Sequence, residues 1–124
     1  MTKIALLAVD EPVRIDAQRL EQIFLELGED AGTRMVCAAL EQLATGLRRT
    51  VKAARQESLA EVAAGADRLS RLAWQLGLVS LAGVAVDVGA CAEGRNLLGL
   101  AATSARLERI GNRSLTMLWD AETG

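Results

Sequence analysis

The sequence predicts an all-α fold, an antiparallel four-helix bundle with a short additional N-terminal helix. Three observations predict it. Apolar residues recur at spacings of three and four along most of the chain, no stretch alternates apolar and polar with period two, and Pro12 is the single proline. The joints between apolar stripes are only a few residues long, which makes successive helices antiparallel neighbours. The chain has 124 residues, 51% of them hydrophobic, enough for one core and too few for a second domain.

Residues 1 to 14 read as an N-terminal extension and 15 to 118 as the bundle. Pro12 interrupts regular structure, and Asp16 is a plausible N-cap for a short helix with Leu20, Ile23, Phe24 and Leu27 on its apolar side, closed by Gly28. From about Asp30 to Gln56, Val36, Leu40, Leu43, Leu47, Val51 and Ala54 each follow the last by three or four residues. They span about 80° of arc at 100° per residue, with Glu41, Thr45, Arg48, Arg49 and Lys52 opposite. Ser58 and Glu61 fit a capping box that opens a third helix, whose stripe is Leu59, Val62, Ala66, Leu69, Ala73 and Leu76, with Gly77 as its stop. A fourth helix, about Ser80 to Ala92, presents Leu81, Val84, Ala85, Val88 and Cys91 and ends at Glu93-Gly94. The fifth runs from about Asn96 to Leu118, with Leu97, Leu100, Ala101, Leu107, Ile110 and Met117 as core positions and Gly111-Asn112 as an expected kink or division. Glycine and alanine inside the stripes permit close helix approach.

Composition removes several function classes. Fourteen Lys and Arg against 16 Asp and Glu leave a formal charge of −2, without the basic excess of a nucleic-acid binder. Histidine and tyrosine are both absent, so no mechanism on this chain uses its own imidazole as base, nucleophile or metal ligand. Cys37 and Cys91 lack zinc-site spacing and read as buried thiols acting as small hydrophobes. The apolar run Ile4 to Val9 is shorter than a signal-peptide core, and Leu72 to Val86 is shorter than a membrane span. A cytoplasmic protein with no cofactor, no metal, no membrane and no nucleic-acid partner is expected.

The third helix reads Ala66-Asp67-Arg68-Leu69-Ser70-Arg71-Leu72-Ala73-Trp74-Gln75-Leu76-Gly77. In order and length of helices, over roughly residues 10 to 118, the chain resembles a histidine-containing phosphotransfer domain, the helical carrier of phosphorelays. That family's third helix carries His-x-Leu-Lys-Gly-Ser-Ala, followed three residues later by an apolar residue and Gly. Leu69, Ala73, Leu76 and Gly77 match its packing positions. Asp67 stands where the phosphorylated His would be, Ser70 where the Lys would be, and Arg71 where the Gly would be. The resemblance therefore implies a degenerate, non-catalytic member that keeps the scaffold and lacks the acceptor nitrogen. It implies a two-component partner, a response-regulator receiver domain or a histidine kinase, bound at Asp67, Arg68, Ser70, Arg71 and Trp74.

Phosphorylation of Asp67 itself is disfavoured. An acyl phosphate ordinarily forms beside a divalent cation held by neighbouring carboxylates, and the positions one turn away are Ala63, Ala64, Ser70 and Arg71. Two readings of Asp67 stand side by side: a solvent-facing partner of Arg71 at i,i+4, or part of a docking face with Trp74, since both point about 130° to 150° from the stripe. Trp74 likewise reads as a partner anchor or as a residue covered by the N-terminal helix. The run Arg48, Arg49, Lys52 and Arg55 reads as a solvated face that complements the helix dipole. The alternative function is a structural helical protein that forms a homo-oligomer, or an adaptor unrelated to phosphorelay.

Overall fold

The computed structural model describes residues 11–123. Among the described residues, five α-helices make up an all-α fold: α1 (Ala17–Leu27), α2 (Glu29–Arg55), α3 (Leu59–Gln75), α4 (Val79–Glu93) and α5 (Leu97–Thr123). Among the described residues there is no strand. The run Ile4 to Val9, read above as too short for a signal peptide, lies outside the described residues. No described helix is long and apolar enough to cross a membrane.

From α2 onward each helix lies against the next in the chain, and α5 returns against α2; α1 lies against α2. The buried residues of the four longer helices converge on one core, in which Leu43, Leu69, Leu76, Leu78, Leu81, Leu100, Leu107, Ile110 and Leu118 are the largest fully buried side chains. All six α2 stripe residues are buried, as are all but Leu59 of the α3 stripe. This is what period-3.6 patterning predicts for a helix with one face in the core.

Three joints share one geometry. At Gln56-Glu57-Ser58, Leu76-Gly77-Leu78 and Gly94-Arg95-Asn96 the middle residue is left-handed, with φ 55°, 76° and 54°. In each, the third residue's N–H donates to the carbonyl five residues back: Ser58 to Ala53, Leu78 to Ala73, Asn96 to Cys91. These 6→1 bonds cap the carbonyl ends of the helices in the manner of a Schellman turn. The capping box is accordingly corrected. Ser58 does precede α3, but its side chain makes no capping bond; the turn is closed by backbone alone.

The first helix begins as expected, with the Asp16 carboxylate accepting from the Gln18 and Arg19 N–H groups. It is seated on the α3–α4 turn. The Asp16 N–H donates to the Gly77 carbonyl (2.7 Å), Arg19 Nε to the Gln75 carbonyl (3.0 Å) and the Arg14 N–H to Ser80 Oγ (2.7 Å). Ahead of α1, the Glu11 carboxylate pairs with Arg106 on α5 (2.8 Å), and Arg113 donates to the Glu11 carbonyl. Residues 11 to 14, expected in the extension, are thus fastened to the helices.

The last helix differs most from expectation. It continues five residues past Leu118, because no glycine or proline interrupts it before Gly124. It is not divided at Gly111: a Cβ there would lie 2.7 Å from Leu47 Cδ2, so the glycine lets α5 approach α2. Leu97, Ala101 and Met117, expected in the core, are exposed, while Gly111 and Ser114 are buried. Leu27, expected on the apolar side of the first helix, is also exposed. Cys37 and Cys91 are free thiols but only half-buried, not sealed in the core.

Candidate functional site

The third helix turns Val62, Ala66, Leu69 and Ala73 inward. The opposite arc, in angular order, carries Trp74, Asp67, Arg71 and Arg68 over about 120° at 100° per residue. All four are exposed. Asp67 Oδ2 and Arg71 Nη2 form an i,i+4 ion pair at 3.0 Å, with the Asp67 side chain 60% exposed. Trp74 is 54% exposed. The N-terminal helix does not cover its indole, because α1 is held on the turn that follows α3 through Asp16 and Arg19.

Ser70 departs from the expected face. It is only 8% exposed, and its hydroxyl donates to the Asp67 carbonyl of its own helix at 2.8 Å. The cause is angular. Ser70 lies one turn beyond Ala66, whose Cβ is the atom nearest a Cβ built on Gly89 of α4 (3.5 Å), so that flank of α3 is turned toward α4. The exposed arc is therefore made of Asp67, Arg68, Arg71 and Trp74, without Ser70.

Arg68 also belongs to a feature that sequence reading missed, a groove of about 650 Å³ between α2 and α3. The two helices run in opposite directions and nearly touch. A Cβ on Gly65 would come 2.4 Å from Thr50 Oγ1, and one on Gly46 would come 3.2 Å from Leu69 Cδ2. Arg49 of α2 and Arg68 of α3 line the groove around these two crossings. The basic run was expected to be a solvated face, and Arg55 does pair with Glu108 of α5 at 3.3 Å; Arg49 instead stands over the groove. Small residues on both helices were the available signal, but they define a groove only when the register between α2 and α3 is known.

This arc offers one carboxylate, two guanidiniums and an indole to solvent. Among the described residues no three His, Cys, Asp or Glu side chains gather into a metal-binding group. A surface i,i+4 pair contributes about 0.3–0.5 kcal/mol. Asp67→Ala is therefore expected to change unfolding free energy by less than about 0.5 kcal/mol, read by chemical denaturation. A loss several times larger would mean that Asp67 is a structural residue.

No family model matches the chain, and neither a curated protein nor a solved structure is significantly similar to it.

Proposed function

We propose that the chain is a phosphotransfer-like helical domain, an antiparallel four-helix bundle with a short N-terminal helix, that binds a receiver domain or a histidine kinase without carrying phosphate. The observation that carries this reading is the exposed arc of α3. Asp67, at the position the resemblance gives to the phosphoacceptor, projects into solvent beside Arg68, Arg71 and Trp74. In this reading the protein is a cytoplasmic, non-enzymatic competitor or regulator.

Electrostatics favours docking over repulsion. A lone carboxylate would be repelled by a receiver's acidic pocket. Asp67, however, is neutralised by Arg71, and Arg68 forms no ion pair among the described residues. The arc as a whole carries one excess positive charge and an indole, a pairing of residue types common among interface hot spots.

The test is a binding screen of the chain against phosphorylated receiver domains and kinases of its source organism. A measurable complex with no phosphoryl label on this chain is expected. Trp74→Ala should weaken that complex at least tenfold, as loss of a central aromatic anchor of 2 kcal/mol or more does. Label appearing on the wild-type chain, or absence of any complex, would overturn the reading.

A second reading, self-association, is favoured by one feature. An apolar groove of about 320 Å³ between α2 and α5 is lined by Leu40, Ala44, Leu115 and Trp119. In that case molecular size rises with concentration and Leu115→Ala suppresses the rise.

A further inference from the structure

The α2–α3 groove differs in character from the docking arc, and its occupant is a matter separate from the phosphorelay reading. Its volume of about 650 Å³ falls within the range of small-molecule sites. The floor is apolar and made of small residues, Gly46, Ala53 and Gly65, with Leu69 and Leu72 beside them. Two arginines from the facing helices, Arg49 and Arg68, line the groove. Thr50 contacts Gly65 and Gly46 contacts Leu69, so Arg49, next to Thr50, and Arg68, next to Leu69, sit on the same level of the groove. Neither arginine forms an ion pair among the described residues. Glu41 and Glu61 line it as well. Following the same antiparallel register, they fall toward opposite ends, which leaves the positive charge in the middle.

The floor also holds an unsatisfied polar group. Thr50 is 1% exposed, and its Oγ1 has no hydrogen-bond partner. Buried side-chain hydroxyls without a partner are uncommon in native proteins, and each one calls for an explanation. Its oxygen is sealed beneath Gly65, so it belongs to the helix crossing and is not a contact for anything bound in the groove.

We propose that the α2–α3 groove binds a small organic anion, a carboxylate or phosphate head held between Arg49 and Arg68 with an apolar body along Leu69 and Leu72. Guanidiniums suit this role because they are always charged and present several donors in a planar fork to a carboxylate or phosphate. The acidic ends of the groove select against long polyanions and favour a single compact charge.

Titration of the chain with octanoate, octyl phosphate, inorganic phosphate and octylammonium, followed by calorimetry and amide chemical shifts, tests the proposal. Saturable binding of octanoate or octyl phosphate at one site is expected, with shifts at Gly46, Thr50 and Gly65. Whichever of the two binds more tightly identifies the head group, and inorganic phosphate should bind at least tenfold more weakly because it lacks the apolar body. Arg49→Gln and Arg68→Gln should each weaken binding at least tenfold. Ala64→Leu, a change at an exposed lining position, should block the groove while the fold is retained. Equal binding of octylammonium, binding unaffected by either arginine variant, or no binding of any amphiphile would overturn the proposal. None of these measurements involves a receiver or a kinase, so the phosphorelay reading stands or falls separately.

Discussion

Gly77→Ala is expected to remove about 2–4 kcal/mol of stability, a large share of the ~5–15 kcal/mol typical of a domain. Two effects add. An L-residue in the left-handed region costs about 1–2 kcal/mol, and Gly77 has φ 76°. The larger effect is steric: a Cβ on Gly77 would lie 2.6 Å from the Asp16 carbonyl oxygen, which is backbone and has no alternative rotamer. Relief requires α1 to lift from the α3–α4 turn, which breaks the bond from the Asp16 N–H to the Gly77 carbonyl. Three comparisons separate the two effects under the same denaturant titration. Gly28 has φ 86° and ψ 171°, a region open essentially to glycine alone, and nothing within 4 Å of a built Cβ, so Gly28→Ala reports a purely conformational cost of about 1–3 kcal/mol. Glu57 and Arg95 hold the same left-handed position in the other two joints with exposed side chains, and Glu57→Gly or Arg95→Gly is expected to be neutral or slightly stabilising. If Gly77→Ala costs no more than the ~1–2 kcal/mol of the left-handed conformation itself, the α1 contact contributes nothing to the fold.

That comparison also explains which parts of the fold could be read in advance. The stripe Val36 to Ala54 was legible because each residue is strongly apolar and the period is unbroken, so burial on one face follows from the sequence alone. Gly77 was legible as a stop, since a glycine after an apolar stripe signals a helix end. The equivalent turns at Glu57 and Arg95 carry no glycine, and Ser58-x-x-Glu61 imitated a capping box that the backbone bond from Ser58 to Ala53 makes unnecessary. Helix α4 is apolar on nearly every side, with Val86 exposed and Val84 and Val88 buried, so its pattern says little about which face of α5 meets it. For that reason the apolar pattern of α5 points to Leu97, Ala101 and Met117 as core positions and passes over Ser114, the reverse of their burial.

The candidate site divides along the same line. Asp67 and Arg71 are related by local helix geometry, and their ion pair needs nothing beyond the i,i+4 spacing. The fate of Ser70 depends on α4, and the groove beside Arg68 depends on α2 crossing at Thr50 and Gly65. Both are tertiary facts set by neighbours distant in sequence. Residue types on a single helix define an outward arc; the edges of that arc are drawn by the helices packed on either side.

Under the proposed phosphotransfer-like reading, replacing Asp67 by His and Arg71 by Gly is expected to create a chain that accepts a phosphoryl group, the largest functional change that reading predicts. The reasoning is geometric. The Asp67 side chain is 60% exposed, so an imidazole there reaches solvent, and removing the Arg71 side chain opens the space in front of it. In the transfer, the O–P bond of a receiver's aspartyl phosphate breaks, its carboxylate leaves, and an N–P bond forms on the imidazole. The variant stays folded: losing an exposed ion pair costs about 0.3–0.5 kcal/mol, and glycine in a helix interior about 1 kcal/mol. Radiolabelled phosphoryl transfer from a receiver that binds the wild-type chain gives the readout. An acid-labile label on the double variant, absent from wild type and from Arg71→Gly alone, is the expected result. A double variant that binds the same receiver and takes no label would show that the partner does not approach residue 67, and the docking arc would have to be placed elsewhere on the protein.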